Sequence, residues 1–366
     1  MRQRGTVRER AGKNKFLFAA LLAAASLGAA VAAGQGFEKP AIHIEDDCAE
    51  FAAAADGKIV YSVPHQKHVK KIEYRHDDIW VAEPNGSRKR VLDADKFAPA
   101  PPANNFVVDS FSWSPDSKRF VAEIHTETLS EDPEAPPNAI KAAALFDQDG
   151  NLIRVAGSKD GYIDNATSAT WLADGQTVVY LANGGPWDIM RVRPSDGQTT
   201  RLYDGHSFEA VAWDAARNQA FVISDDLSVT RRRFLVRLDL VNETIGEVAR
   251  VDRFEGSMSV SPSARKIGFF EDGDTIRVID TATPGKLIEV HAGLGRFEWG
   301  AGENRVLLKR GPPEKSGDLV WVGIYDGNFT PILHGLDFHD FQIEPNGRFL
   351  VVSQVGRREL MVYPIG

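Results

Sequence analysis

Histidine, arginine and carboxylate side chains gather at a few places in this sequence, and each place suggests its own chemistry. His65 and His68 form an H-x-x-H pair in the segment 61–78, which also carries Arg75, His76, Asp77 and Asp78. Zinc takes such a pair on a helix face or with further ligands. Neither is evident, so the segment reads as a solvated polar loop that offers His65 and His76 for binding. His206-Ser207 lies in Gly-His-Ser-Phe-Glu (205–209), which lacks the closing glycine of a nucleophile elbow. Arg253, Arg296 and the His339-Asp340 pair each stand at or just ahead of a short apolar run. If those runs are equivalent strands, the groups share one face and can bind a polar ligand there. Hydrogen bonding between neighbouring strands is the other role open to them. Asp147-x-Asp149-Gly150 begins like a calcium loop but lacks the later bidentate glutamate, and a hairpin turn accounts for it. No catalytic set, metal site or cofactor is expected from these residues.

The elements that must position these groups come from a repeat. An apolar or aromatic run, a Pro/Asp/Gly-type turn and a β-branched run recur along the chain, as in FSWSPDSKRFVAEI (111–124) and ATWLADGQTVVYLA (169–182). Aligned, the repeats place Ala53, Trp113, Trp171, Trp213, Val260, Trp299 and Ile343 at one position, with spacings of about 40–60 residues, the range of a four-stranded propeller blade. Each unit continues with a second hairpin. Asn85-Gly86, Asp149-Gly150, Asp196-Gly197 and Asp326-Gly327 supply the positive φ that tight hairpins need. The expected fold is therefore all-β, a single β-propeller of about seven four-stranded antiparallel blades, with six or eight as alternatives. The strand at about 39–45 is expected to close the last blade, which removes an exposed sheet edge. The recurrent tryptophans read as core packing.

The segments WSPDSKRF (113–120), DIWVAEPNGS (78–87) and GGPWDIMRVRPSDGQTTRL (184–202) resemble the TolB-type, WD40-like propeller repeat. The resemblance implies a propeller over 34–366. It also implies a periplasmic setting and a protein partner held at the mouth of the central channel. The α/β domain that precedes the propeller in that family is expected to be absent here.

Residues 1–33 read as a signal peptide, with a basic start, an apolar run from Phe16 and small residues near Ala33. A retained N-terminal anchor is the alternative, and only then would the protein touch a membrane. The leader holds six basic residues and one acid, so its removal takes the net charge from −8 to about −13. That balance disfavours nucleic-acid binding, which needs clustered Lys and Arg. With the lone Cys48 the chain has no internal disulfide to form. The expectation is a monomeric, periplasmic or secreted, non-catalytic module that binds an envelope protein or glycan through His65, His76, His206, Arg253, Arg296, His339 and Asp340. A metal-dependent, lyase-like enzyme acting on polysaccharide is the alternative, with His206, His339 and Arg253 recruited to it.

Overall fold

The computed structural model describes residues 40–69, 72–97, 104–128, 138–182, 188–203, 208–225, 233–271, 275–283, 287–291, 296–310, 317–336, 338–354 and 359–365. The leader and His206 lie outside them. Among the described residues no helix is long and apolar enough to cross a membrane.

Turn chemistry and alternating apolar residues make nearly every element a strand. β1 (Ile42–Ile44) comes first. A meander follows of β2 (Phe51–Ala53), β3 (Ile59–Val69), β4 (Ile72–Ala82) and β5 (Arg88–Leu92), then the one-turn helix α1 (Ala94–Phe97). The next is β6 (Asn104–Trp113), β7 (Arg119–Thr128), β8 (Asn138–Asp147) and β9 (Ile163–Asp164). The third is β10 (Ala166–Trp171), β11 (Val178–Ala182), β12 (Asp188–Arg193) and β13 (Gln198–Tyr203). The fourth is β14 (Phe208–Asp214), β15 (Gln219–Asp225), β16 (Arg233–Asp239) and β17 (Ile245–Val251). Then come β18 (Met258–Val260), β19 (Lys266–Phe270), β20 (Thr275–Asp280) and β21 (Leu287–His291). The sixth is β22 (Phe297–Trp299), β23 (Arg305–Arg310), β24 (Gly317–Gly323) and β25 (Phe329–Leu336). The last is β26 (Phe338–Ile343), β27 (Phe349–Gln354) and β28 (Leu360–Pro364).

The first strands pack on one another around the ring, β2 on β6, β6 on β10, β14 on β18, β18 on β22, β22 on β26 and β26 back on β2. Apolar clusters fill the spaces between successive sheets. Phe106, Phe120 and Phe146 lie between the first two meanders, and Leu307, Trp321 and Phe341 lie between the last two. β1 pairs antiparallel with β28, Ile42 opposite Val362 and Ile44 opposite Leu360. Strands from the two ends of the described chain thus complete one sheet, in the order β1-β28-β27-β26.

The arrangement is a β-propeller, but the blade count departs from the expected seven. Among the described residues there are five separate four-stranded sheets, and the first two meanders share one eight-stranded sheet. The cause is the length of the early strands. The segment 61–78, expected as a loop, is instead a continuous hairpin, with β3 and β4 in register from Ile59–Ala82 to Val69–Ile72. The extension carries β4 past its own sheet to a parallel pairing with β6, His76 opposite Phe106. Its polar residues run from exposed ones near the tip, such as His65 and Gln66, to three consecutive buried ones, His76, Asp77 and Asp78, at its base.

Four of the seven aligned positions are tryptophans at the ends of inner strands. The indoles of Trp113, Trp213 and Trp299 donate to the carbonyls of Ala52, Ser168 and Ser259 on the preceding inner strand, at 3.0, 2.7 and 3.3 Å. Trp171 is buried without a partner for its Nε1. Gly150 and Gly197 hold φ of 82° and 69°, and a Cβ at either would collide with Val91 or with the Ala156 carbonyl.

Candidate functional site

Four consecutive inner strands, β22, β26, β2 and β6, carry one set of charged side chains, Arg296 and Glu50 directly ahead of β22 and β2, and Glu298, Asp340 and Asp109 within β22, β26 and β6. Arg296 stands directly ahead of β22. Its Nη1 donates to Asp340 Oδ2 on β26 at 2.7 Å, while Nε and Nη2 donate to Glu298 Oε1 at 3.0 and 2.7 Å. Although burial opposes it, the two carboxylates hold the guanidinium charged well above its ordinary range. Burial pushes the Glu298 carboxyl up, against the pull of Arg296. The other oxygen of Asp340 accepts the Phe341 N–H at 2.8 Å.

Glu50 stands directly ahead of β2. Its backbone is locked to the buried Ser62, donating N–H to Oγ at 3.1 Å and accepting the Ser62 N–H at 2.9 Å. Its carboxyl is pushed up to about 7, chiefly by burial and then by Asp340 and Asp109, with Arg75 and Arg296 opposing. On β6, Asp109 pairs with His125 Nδ1 of β7 at 2.7 Å, and that bond raises the imidazole's proton affinity against burial. On β4, Arg75 grips the fully buried Asp77 through Nε and Nη2 at 2.6 and 2.8 Å, and Asp77 Oδ2 accepts the Val108 N–H at 3.0 Å. The Arg75 N–H donates to Asn105, whose amide donates to Glu127. The result is a polar patch in which most charges are already paired.

Of the residues singled out from the sequence, Arg296 and Asp340 belong to this patch and bond to each other across two sheets. His65 and His76 are directly opposite in the β3–β4 register but bind different carboxylates. His65 Nε2 meets the buried Asp78 at 3.2 Å, which also takes Arg90 Nη1 and the Ala94 N–H. His76, itself buried, meets Asp95 of α1 at 2.8 Å, and Lys67 binds the same carboxylate. His76 therefore ties α1 to the long hairpin, while His65 braces the two strands of that hairpin through Asp78. Arg253 is exposed in the turn before β18. His339 occupies the bulge of β26 between Phe338 and Asp340. Asp147 folds back on the Asp149 and Asn151 N–H groups at 3.0 and 2.8 Å, a turn as expected. Among the described residues no three His, Cys, Asp or Glu side chains are grouped to hold a metal ion.

Glu50, Asp109, Arg75 and Glu298 were not legible as members of this site. Arg296 and Asp340 could be found because they precede recognisable inner runs. Glu50 precedes one too, but within the acidic stretch 45–50 nothing distinguishes it.

No known family model matches the chain, and no curated protein does. Solved structures are similar in shape. A chain of the mitotic checkpoint complex aligns with a TM-score of 0.58 at 11% identity, covering 91% of this chain and 96% of that one. Acylaminoacyl peptidase in complex with Z-Gly-Gly-Phe-chloromethyl ketone aligns with a TM-score of 0.53 at 18% identity, covering 79% of this chain and 45% of the peptidase. TolB from Acinetobacter baumannii aligns at 0.43 and 13% identity, covering 84% and 80%. This chain has the β-propeller fold. At these identities the likeness extends to fold alone.

Proposed function

We propose that this protein is a non-catalytic binding propeller of the bacterial cell envelope, of the TolB type in its repeats, which engages a protein or glycan partner at the mouth of its channel. The observation that carries this reading is the Arg296 bridge between Asp340 and Glu298, with Glu50, Asp109–His125 and Arg75–Asp77 on the neighbouring strands. Groups fixed in advance by rigid strands lose little freedom on binding, which is what a recognition surface needs. The repeat segments at 78–87, 113–120 and 184–202 and the leader-like residues 1–33 support the TolB-type and envelope parts of the reading.

The test is a crosslinking capture from the cell envelope, comparing wild type with an Arg296→Ala, Asp340→Ala double variant of unchanged circular dichroism. One partner retained by wild type and lost by the variant is the expected result. Equal capture by both would place binding elsewhere and overturn the reading.

A further inference from the structure

A polar cavity of about 270 Å³ opens between the third and fourth meanders. Alternation along β12 sends Arg191 and Arg193 to one face of their sheet. The register sets Thr200 of β13 opposite Arg191 and Gln198 opposite Arg193. All four line the cavity, with Asp174 and Thr177 of the β10–β11 turn on one side and Leu240 of the next meander on the other. The walls are fixed. Arg191 Nη1 donates to the Leu240 carbonyl at 2.9 Å, across the two meanders. One oxygen of Asp174 accepts the Gln176 and Thr177 N–H groups at 2.8 and 2.9 Å, and the other accepts the Thr177 hydroxyl at 2.6 Å. The remaining partners of the two arginines are exposed carboxylates, Glu243 on Arg191 Nη2 at 2.9 Å and Asp196 on Arg193 Nη1 at 3.1 Å. Exposed pairs hold little net free energy. Each also occupies a single nitrogen of a fork that carries five N–H donors.

We propose that this cavity binds a small hydroxylated monocarboxylate of the sugar-acid class, its carboxylate on Arg191 and Arg193 and its hydroxyls on Asp174, Gln198 and Thr200. Two guanidinia on one strand face supply the charge-assisted, forked donors that a carboxylate takes. Asp174 sets the rest of the chemistry. Although burial opposes it, the bonds from Thr177 and Gln176 hold its carboxyl below the ordinary range, so it is an anion at neutral pH. It therefore repels the second charge of a phosphate dianion and accepts from a hydroxyl. The volume lies just under the roughly 300–1,000 Å³ of drug-sized sites, which suits one small solute. The groove at the same place between the first two meanders has Val81 and Glu83 where the arginines stand here. The paired guanidinia are thus particular to this cavity and not demanded by the fold. Asp174 follows the C-terminal end of β10, whereas Arg296 and Glu50 precede the N-terminal ends of β22 and β2. The cavity and the Arg296 patch therefore lie at opposite ends of the inner strands, and the two sites are independent.

The experiment is isothermal titration of the whole protein with glucuronate, and with glucose, acetate and inorganic phosphate for comparison. Glucuronate is expected to saturate one site. Glucose, which lacks the carboxylate, and acetate, which lacks the hydroxyls, should each bind at least about tenfold more weakly. An Arg191→Gln, Arg193→Gln double variant of unchanged melting temperature should lose at least about tenfold in glucuronate affinity. Glu243→Gln removes the carboxylate that competes for Arg191 and should tighten binding by about two- to fivefold. If the double variant melts early, Thr200→Val, at an exposed position, carries the test in its place and should weaken binding. No saturable heat with glucuronate, or undiminished binding in the folded variant, overturns the proposal. Phosphate binding more tightly than glucuronate overturns the ligand class. None of these readouts needs an envelope partner, so failure here leaves the proposed function standing, and failure of partner capture leaves this site standing.

Discussion

Glu50 links the polar patch of the inner strands to stability. Its folded carboxyl titrates at about 7 against 4.5 for the unstructured group, so the folded state holds a proton that the unfolded chain has lost between those values. Stability contributed by this group is therefore full below the lower value, falls as pH rises through the window, and stays reduced above it. Glu50→Gln should raise the unfolding free energy by on the order of 2 kcal/mol near pH 8 and by almost nothing near pH 4. Denaturant melts at the two pH values check this. A gain at both would show that the carboxylate acts through something other than its charge. Trp171 is a second residue with a definite expectation. It is 2% exposed and packs with Val121, Leu145 and Tyr180, so Trp171→Ala should cost about 3–5 kcal/mol by chemical denaturation. The repeat made its burial legible, since it shares a position with Trp113, Trp213 and Trp299. It did not reveal that three of those indoles are tied to neighbouring carbonyls while Trp171 is not, because a backbone acceptor on another sheet leaves no trace in composition.

At the scale of elements, the strands and turns were readable because alternation and the Asn-Gly and Asp-Gly pairs are local signals. The first long early unit was not. Its polar insertion looks like a loop, yet paired across a hairpin it makes two strands of 11 residues, β3 and β4. What stabilises such a polar hairpin is lodged in its partners. His76, Asp77 and Asp78 are consecutive and buried, each anchored by a group distant in sequence: Asp95, Val108 and Ala94. Asp77 is central, since it satisfies Arg75 and the Val108 N–H together. Asp77→Ala should cost about 3 kcal/mol by leaving both without an acceptor. Hydrogen exchange at the Val108 amide should quicken far more than exchange in the β22–β25 sheet. A uniform change across all sheets would mean that the fused sheet is not a separate cooperative unit.

For the whole molecule, ring closure depends on a three-residue strand. Ile44 is buried against Val351, Leu360 and Val362, and His43 Nε2 meets Glu359 at 2.7 Å. Replacing both Ile42 and Ile44 with lysine should detach β1 and bare the edge of β28. The expected outcome is a lower melting temperature together with concentration-dependent association in light scattering, because an unpaired edge invites another chain. A lower melting temperature with no association would indicate that β28 finds a different cover.

The same closure sets an order of events during synthesis. The His43–Glu359 contact joins residues 316 positions apart, whereas every other sheet is a meander whose partners emerge from the ribosome close together. At roughly 5–20 residues per second, β1 must wait many seconds for the strand it completes. Through that interval the first strand is a loose end, and the β2–β5 meander lacks the apolar neighbour that Val351 and Val362 provide. The clasp that makes the finished ring continuous is therefore also its latest contact. Substitutions in β1 should raise the amount of newly made chain lost to proteolysis more than their effect on the melting temperature alone would suggest.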